Sequence, residues 1–141
     1  MPEKPAFSYG LAGTVSNIST GWRDVEFDTK VFEVGNNFNT STYSYVVPVS
    51  GVYQFNASVR TDNVDTAAGY YQFRFNANNY KEYWGLIDPN FSADLNYLQF
   101  SGSMLFQLDA GDAVKVEMIQ SSGTAQTDLI ADARFSGFLV G

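Results

Sequence analysis

Residues 51–60 read GVYQFNASVR, and this stretch decides the fold because apolar and polar side chains alternate along it. Every second residue is apolar: Tyr53, Phe55, Ala57 and Val59. The residues between them are polar or charged: Gln54, Asn56, Ser58 and Arg60. A period of two predicts a β-strand that buries one face and exposes the other.

The same alternation recurs further along the chain. In residues 70–76 the alternation places Tyr71, Phe73 and Phe75 on one face. In residues 113–119 it places Val114, Val116 and Met118 on one face. No stretch shows the 3.6-residue period of an amphipathic helix. We predict strands over residues 6–10, 23–28, 31–33, 43–48, 51–60, 69–77, 80–86, 95–108, 113–120, 125–130 and 134–140. About ten short strands separated by turn motifs predict an all-β sandwich or jelly roll.

The composition excludes several classes of chemistry. The chain has 141 residues and contains neither histidine nor cysteine. Nucleophile systems of the Ser-His-Asp and Cys-His types, and disulfides, are therefore impossible. The 15 acidic and 8 basic residues give a net charge of −7, which disfavours nucleic acid and anionic membranes as partners. Two-carboxylate glycosidase chemistry remains possible with 15 acidic residues, and we predict no cofactor.

Four motifs occur in a defined order: VGNNFNTST at residues 34–42, YVVPVSGVYQF at 45–55, SGSMLFQLDAGDAV at 101–114 and FSGFL at 135–139. In this order and spacing they resemble the globular head domain of complement C1q and its relatives in the tumour-necrosis-factor jelly-roll superfamily. The resemblance covers residues 5–141, and residues 1–4 are interpreted as a linker or as the start of the chain. The low charge and the many Asn, Ser and Thr residues are more similar to a bacterial or phage member than to an animal one.

The resemblance implies a ten-stranded jelly-roll β-sandwich, assembly into trimers and non-catalytic, multivalent recognition. It implies core or trimer-interface positions for four aromatic residues: Tyr53, Phe55, Phe135 and Phe138. The 12 Phe, 9 Tyr and 2 Trp also favour a homotrimer, because one small core does not readily hide so many rings. The implied location is extracellular, at a cell surface or on a virion surface, as part of a longer protein.

The best candidate for a ligand surface is residues 78–85, NNYKEYWG. Aromatic faces beside amides suit sugar rings, which present apolar C–H faces and hydroxyl edges. The candidate contacts are Asn78, Tyr80, Tyr83 and Trp84, and the expected ligand is a cell-surface glycan or protein. The alternative is an ordinary hairpin whose aromatic rings pack in the core or at the trimer interface.

Some relatives bind calcium through a loop just before the closing FSGFL motif. That loop here keeps only Asp128 and Asp132, and a second candidate pair, Asp88 and Asp94, flanks a turn. Calcium takes about six or more oxygen ligands, so two carboxylates are too few and we predict no metal site.

Three functions remain open at this point. The leading one is a trimeric recognition or adhesion head at the tip of a longer fibrous or stalk protein. The second is a structural trimerisation cap that nucleates and locks a stalk, and the third is a carbohydrate-active enzyme. A ligand pocket would separate the first from the second, and two carboxylates facing one groove at glycosidase spacing would favour the third.

Overall fold

The computed structural model describes residues 3–141, so Met1 and Pro2 of the predicted linker lie outside the described residues. Within that range the chain forms these strands: β1 Ala6–Gly10, β2 Gly21–Asp24, β3 Thr29–Val34, β4 Phe38–Asn39, β5 Ser44–Val46, β6 Gly51–Val64, β7 Tyr70–Ala77, β8 Tyr80–Ile87, β9 Leu95–Leu108, β10 Ala113–Ser121, β11 Asp128–Leu129 and β12 Arg134–Leu139. The described residues contain no helix that is long and apolar enough to span a membrane.

The strands form two antiparallel, six-stranded sheets. The first sheet has the order β9–β6–β12–β1–β3, and β11 also pairs with β6. The second sheet has the order β4–β5–β10–β7–β8, and β2 also pairs with β10. Two facing antiparallel sheets with strands that cross between them form a jelly-roll sandwich, which confirms the predicted fold class.

Tight turns shorten two of the predicted strands, those over residues 23–28 and 125–130. The N–H of Phe27 donates to the carbonyl of Val25 at 2.8 Å, which turns the chain soon after β2. The N–H of Gln126 donates to the carbonyl of Thr124 at 2.8 Å, which turns the chain just before β11. Hydrogen bonds between residues two apart are incompatible with the extended backbone that the alternation alone predicted.

Aromatic rings fill the space between the sheets. Tyr53, Phe55 and Phe135 are fully buried. Phe7 of β1 stacks on Tyr45 of β5 with the ring centroids 4.2 Å apart, which joins the two sheets. A Cβ at Gly137 would lie 2.7 Å from the ring of Phe55 and 2.8 Å from that of Phe7. The glycine in the FSGFL motif therefore makes room for these two rings.

Trp84 belongs to this core. Only 7% of its surface is exposed, and its ring stacks on Phe73 with the centroids 4.9 Å apart. Across the sandwich, a Cβ at Gly102 would come within 2.6 Å of the indole Cγ. The absence of a side chain at Gly102 thus provides the volume that the indole occupies.

We expect Trp84→Ala to lower the free energy of unfolding by about 3–5 kcal/mol, because it leaves a cavity that Phe73 and Gly102 cannot fill. Urea denaturation followed by fluorescence and circular dichroism measures this loss. The matched control is Phe91→Ala, since Phe91 is 41% exposed and should change stability little. Equal stability of the two variants would contradict the core assignment of Trp84.

Candidate functional site

Paired strands bring a group of polar side chains together on the outer face of the second sheet. The inward positions of β7 and β10 hold core residues, so the alternate positions point outward. In the register of these strands, Arg74 lies opposite Glu117 and Asn76 lies opposite Lys115. Neighbouring strands add residues to the same face, and we call the group the second-sheet cluster: Trp22, Asp24, Arg74, Asn76, Tyr83, Lys115 and Glu117.

An ion pair that is largely shielded from solvent forms the centre of the second-sheet cluster. Arg74 Nε lies 2.7 Å from Glu117 Oε1, and only 8% of Arg74 and 9% of Glu117 are exposed. The amide of Asn76 donates to the same carboxylate oxygen at 3.0 Å. Lys115 Nζ lies 2.9 Å from Asp24 Oδ1 and 3.6 Å from Glu117 Oε2. Two cations and two anions balance, so the cluster carries no net charge.

Two aromatic rings cover the guanidinium of Arg74. Its Cζ lies 3.7 Å from the ring centroid of Trp22 and 5.8 Å from that of Tyr83. The two rings meet edge to face with their centroids 6.1 Å apart. Trp22 remains 37% exposed and Tyr83 46% exposed. The cation attracts the rings from below and holds them in place, while part of each ring still faces solvent.

Two groups of the second-sheet cluster, Glu117 and Lys115, have pKa values shifted in the direction that favours their charged forms. Burial tends to raise the pKa of Glu117, but hydrogen bonds from Arg74 and Asn76 outweigh burial and lower that pKa. Burial tends to lower the pKa of Lys115, but Asp24 and Glu117 outweigh it and raise that pKa. Both shifts favour the ion pairs that these two residues form within the cluster.

A shallow pocket of about 250 Å³ adjoins the second-sheet cluster. We call it the amide pocket, and its lining residues are Ser44, Asn76, Asn78, Asn79, Ala113 and Lys115. Asn78 and Asn79 have φ values of 54° and 74°, as in the two-residue turns that favour asparagine and glycine. The N–H of Asn79 donates to Asn76 Oδ1 at 2.9 Å, and the N–H of Asn78 donates to the carbonyl of Ala113 at 3.0 Å. These bonds fix the turn that forms one wall.

The hairpin of β7 and β8 does not present its aromatic residues as one surface. Tyr83 lies opposite Arg74 on the outer face, whereas Tyr80 lies opposite Ala77 and approaches Phe106 edge-on at 6.0 Å. Trp84 points into the core, so its predicted role as a ligand contact is corrected to a packing role. Period-two alternation separates residues that are close in sequence onto opposite faces.

The other predicted site residues remain near solvent. Asn78 lines the amide pocket, and Tyr80 lies 61% exposed beside a groove at the open edge of the sandwich. The aromatic residue that sequence reasoning missed is Trp22, which reaches Arg74 from a distant part of the chain. The polar residues at alternate positions of β7 and β10 were visible in the sequence and marked the outward face that Trp22 covers.

The residues expected in the core or trimer interface divide into two groups. Tyr53, Phe55 and Phe135 are fully buried within one chain. Phe138 is 42% exposed and lies on the outer face of the first sheet. It is therefore available for contact with another molecule, unlike the other three.

The candidate calcium ligands mostly accept hydrogen bonds from the protein itself. Asp128 accepts from the N–H of Asn17 at 2.9 Å and from the amide of Asn63 at 3.0 Å. Asp94 accepts from Thr66 and Gln126, and these bonds lower its pKa. Asp88 and Asp132 belong to no group of three or more acidic side chains that could hold a metal ion in residues 3–141. The absence of a metal site stays a prediction.

We expect Glu117→Gln to reduce the free energy of unfolding at pH 7 by about 1–3 kcal/mol, because it leaves Arg74 without its counter-ion. The lowered pKa of Glu117 stabilises the folded state above about pH 4.5, and this stabilisation is lost as the pH falls through the folded-state pKa. Urea denaturation at about pH 7 and pH 3 should therefore show a smaller acid-induced loss in the variant than in the wild type.

The matched control for this prediction is Glu26→Gln. The Glu26 side chain is 46% exposed, and its ion pair with Arg23, 3.5 Å long, should contribute little. Similar losses for Glu26→Gln and Glu117→Gln would contradict a special role for the shielded pair.

Comparison with known proteins identifies the family. No curated protein sequence matches the chain significantly. The globular domain of zebrafish complement 1qA protein has a TM-score of 0.71 and 22% identity, covering 99% of this chain and 98% of that one. Murine APRIL, solved at pH 8.5, has a TM-score of 0.66 and 12% identity, covering 98% and 100%. At these identities the solved structures show the fold alone, but the C1q domain model matches residues 6–140, and the chain therefore belongs to the C1q domain family.

Proposed function

We propose that this chain is a non-enzymatic recognition head that forms a homotrimer at the tip of a longer, stalk-bearing protein outside the cell or on a virion. C1q and tumour-necrosis-factor-like domains are generally non-enzymatic and serve recognition. The observation that carries the trimer is an exposed apolar patch on the outer face of the first sheet.

Three exposed apolar side chains make up this patch: Phe32, Leu105 and Phe138. Leu105 lies opposite Gln54, and Gln54 lies opposite Phe138, so Leu105 and Phe138 lie in one row across β9, β6 and β12 with Gln54 between them. Phe32 of β3 lies on the same face two strands away. Several large apolar side chains exposed on one face of a sheet favour a contact surface more strongly than single exposed apolar residues do.

The surface around the apolar patch suits close packing against another copy of the chain. Most of the outward residues beside it are small and polar: Ser8, Asn56, Ser58, Ser101, Ser103 and Ser136. The free edge formed by β8 and β9 exposes three further large side chains: Tyr80, Leu86 and Tyr97. A flat face and a separate apolar edge favour a head-to-tail contact between copies, and such a contact forms a ring when its rotation closes.

The second-sheet cluster favours a recognition head over a purely structural cap. A cap needs only the trimer interface, whereas a binding protein also needs a ligand surface. The cluster and the amide pocket lie on the opposite sheet from the apolar patch, so the two surfaces do not overlap. Exposed rings held in fixed positions are typical of binding surfaces.

The chemistry of Glu117 argues against a glycosidase reaction at the second-sheet cluster. The general acid of a glycosidase needs a raised pKa so that it stays protonated near neutral pH. Hydrogen bonds from Arg74 and Asn76 lower the pKa of Glu117 instead. Its carboxylate is therefore an ion-pair partner and is poorly suited to donate a proton.

We expect light scattering at micromolar concentration to give three times the protomer mass. The double variant Leu105→Glu with Phe138→Glu should be monomeric and folded, because both side chains are exposed in the protomer and burying two carboxylates in the contact is costly. Trp22→Ala, which changes the other sheet, is the control and should remain trimeric. A wild-type protein with monomeric mass would overturn the trimer proposal.

A further inference from the structure

Building on the proposed function, we propose that the second-sheet cluster and the amide pocket together bind a neutral saccharide. The site differs from the hairpin surface expected from the sequence, because Trp22 of β2 replaces Trp84 as the principal aromatic contact. Sugar rings need an aromatic face for their C–H groups and amide or hydroxyl groups for their hydroxyls. Both kinds of group lie side by side on this face.

The aromatic part of the site is preorganised. Arg74 is fixed by Glu117 at 2.7 Å and lies 3.7 Å below the ring centroid of Trp22. Tyr83 meets the Trp22 ring edge to face. Trp22 and Tyr83 lie in β-strands, so the hydrogen-bonded sheet fixes the positions of their backbones. A ligand that stacks on them therefore immobilises little that is not already fixed, which favours binding.

The polar part of the site has unused hydrogen-bonding groups. The side-chain amides of Asn78 and Asn79 donate and accept no hydrogen bond among residues 3–141, although their backbone is fixed by Asn76 and Ala113. Each free amide supplies donors and an acceptor, as a sugar hydroxyl requires. Ser44 contributes a hydroxyl to the same pocket.

The spacing of the two parts fits a short oligosaccharide. Arg74, Asn76 and Asn78 are two residues apart along the chain at the end of β7. At about 3.3 Å per residue, the amide pocket begins about 7 Å from the row of Arg74 and extends to about 13 Å from it. A ligand of two or three sugar rings covers this distance, with one ring on Trp22 and another over Asn78 and Asn79.

The charges favour a neutral ligand over an acidic one. Arg74 and Lys115 are already paired with Glu117 and Asp24, so neither cation is free for a carboxylate or phosphate. The chain as a whole carries a net charge of −7, which repels anions. Neutral hexose-containing oligosaccharides therefore fit the site better than sialylated or phosphorylated ones.

The test uses the wild-type protein on an array of neutral and sialylated oligosaccharides, with Trp22→Ala and Asn79→Gly as site variants. We expect binding to neutral glycans and a loss of about tenfold for Trp22→Ala, because it removes the stacking ring. Asn79→Gly keeps the positive φ of 74° without strain and removes only the amide, so it should weaken binding while the hairpin stays folded.

Matched controls separate loss of the site from loss of the fold. Phe91→Ala removes an exposed ring elsewhere, and Asn63→Gly removes another asparagine side chain at positive φ, with φ 57°. Both should bind like the wild type. Trp22→Phe keeps an aromatic face and should retain part of the binding. Thermal melting of each variant reports whether a loss of binding comes from unfolding.

The possible results test the saccharide site and the recognition head separately. Neutral-glycan binding that both site variants lose supports the site. Binding that survives in both variants overturns the site but leaves the recognition head in place. Binding restricted to sialylated glycans or to a protein overturns the neutral-saccharide class. A trimer that binds no glycan overturns the site and favours the structural cap.

Discussion

Ring packing around Phe55 is the contact on which the rest of the sandwich depends. Phe55 of β6 lies 5.7 Å from Phe106 and 6.1 Å from Phe135 within the first sheet, and 6.3 Å from Phe75 of the second. Gly137 leaves the space that this ring and Phe7 occupy. Once these rings face inward, the two-residue period of each strand fixes which side chains point outward. The outer faces are thus a consequence of the core.

The alternation along the strands made the fold predictable, because it is a local property of the sequence. The contacts that build the candidate site are not local. Trp22 reaches Arg74 only because β2 pairs with one end of β10, and nothing within residues 21–24 specifies that register. Tyr80, Tyr83 and Trp84 are close in sequence but do not form one surface. The two-residue period that predicted the strand also places Tyr83 on the face opposite to Tyr80 and Trp84.

The two outer faces differ in chemistry, which allows assembly and recognition to be separate. The first sheet presents Leu105 and Phe138 among small polar residues, a surface that can approach another protein closely. The second sheet presents paired charges, exposed rings and unpaired amides, which suit a hydrated ligand. A single sandwich can therefore contact its own copies through one sheet and a ligand through the other.

The ion pair of Arg74 and Glu117 is a costly way to stabilise a sheet face. Removing two charges from water offsets much of their attraction, and apolar residues of similar volume often stabilise such a position as well or better. The ion pair has an effect that apolar residues would not have. The Arg74 guanidinium contacts the Trp22 and Tyr83 rings from the side of the sheet, and part of each ring remains in solvent. The energetic cost of the ion pair is thus better explained by the need to position exposed rings than by stability.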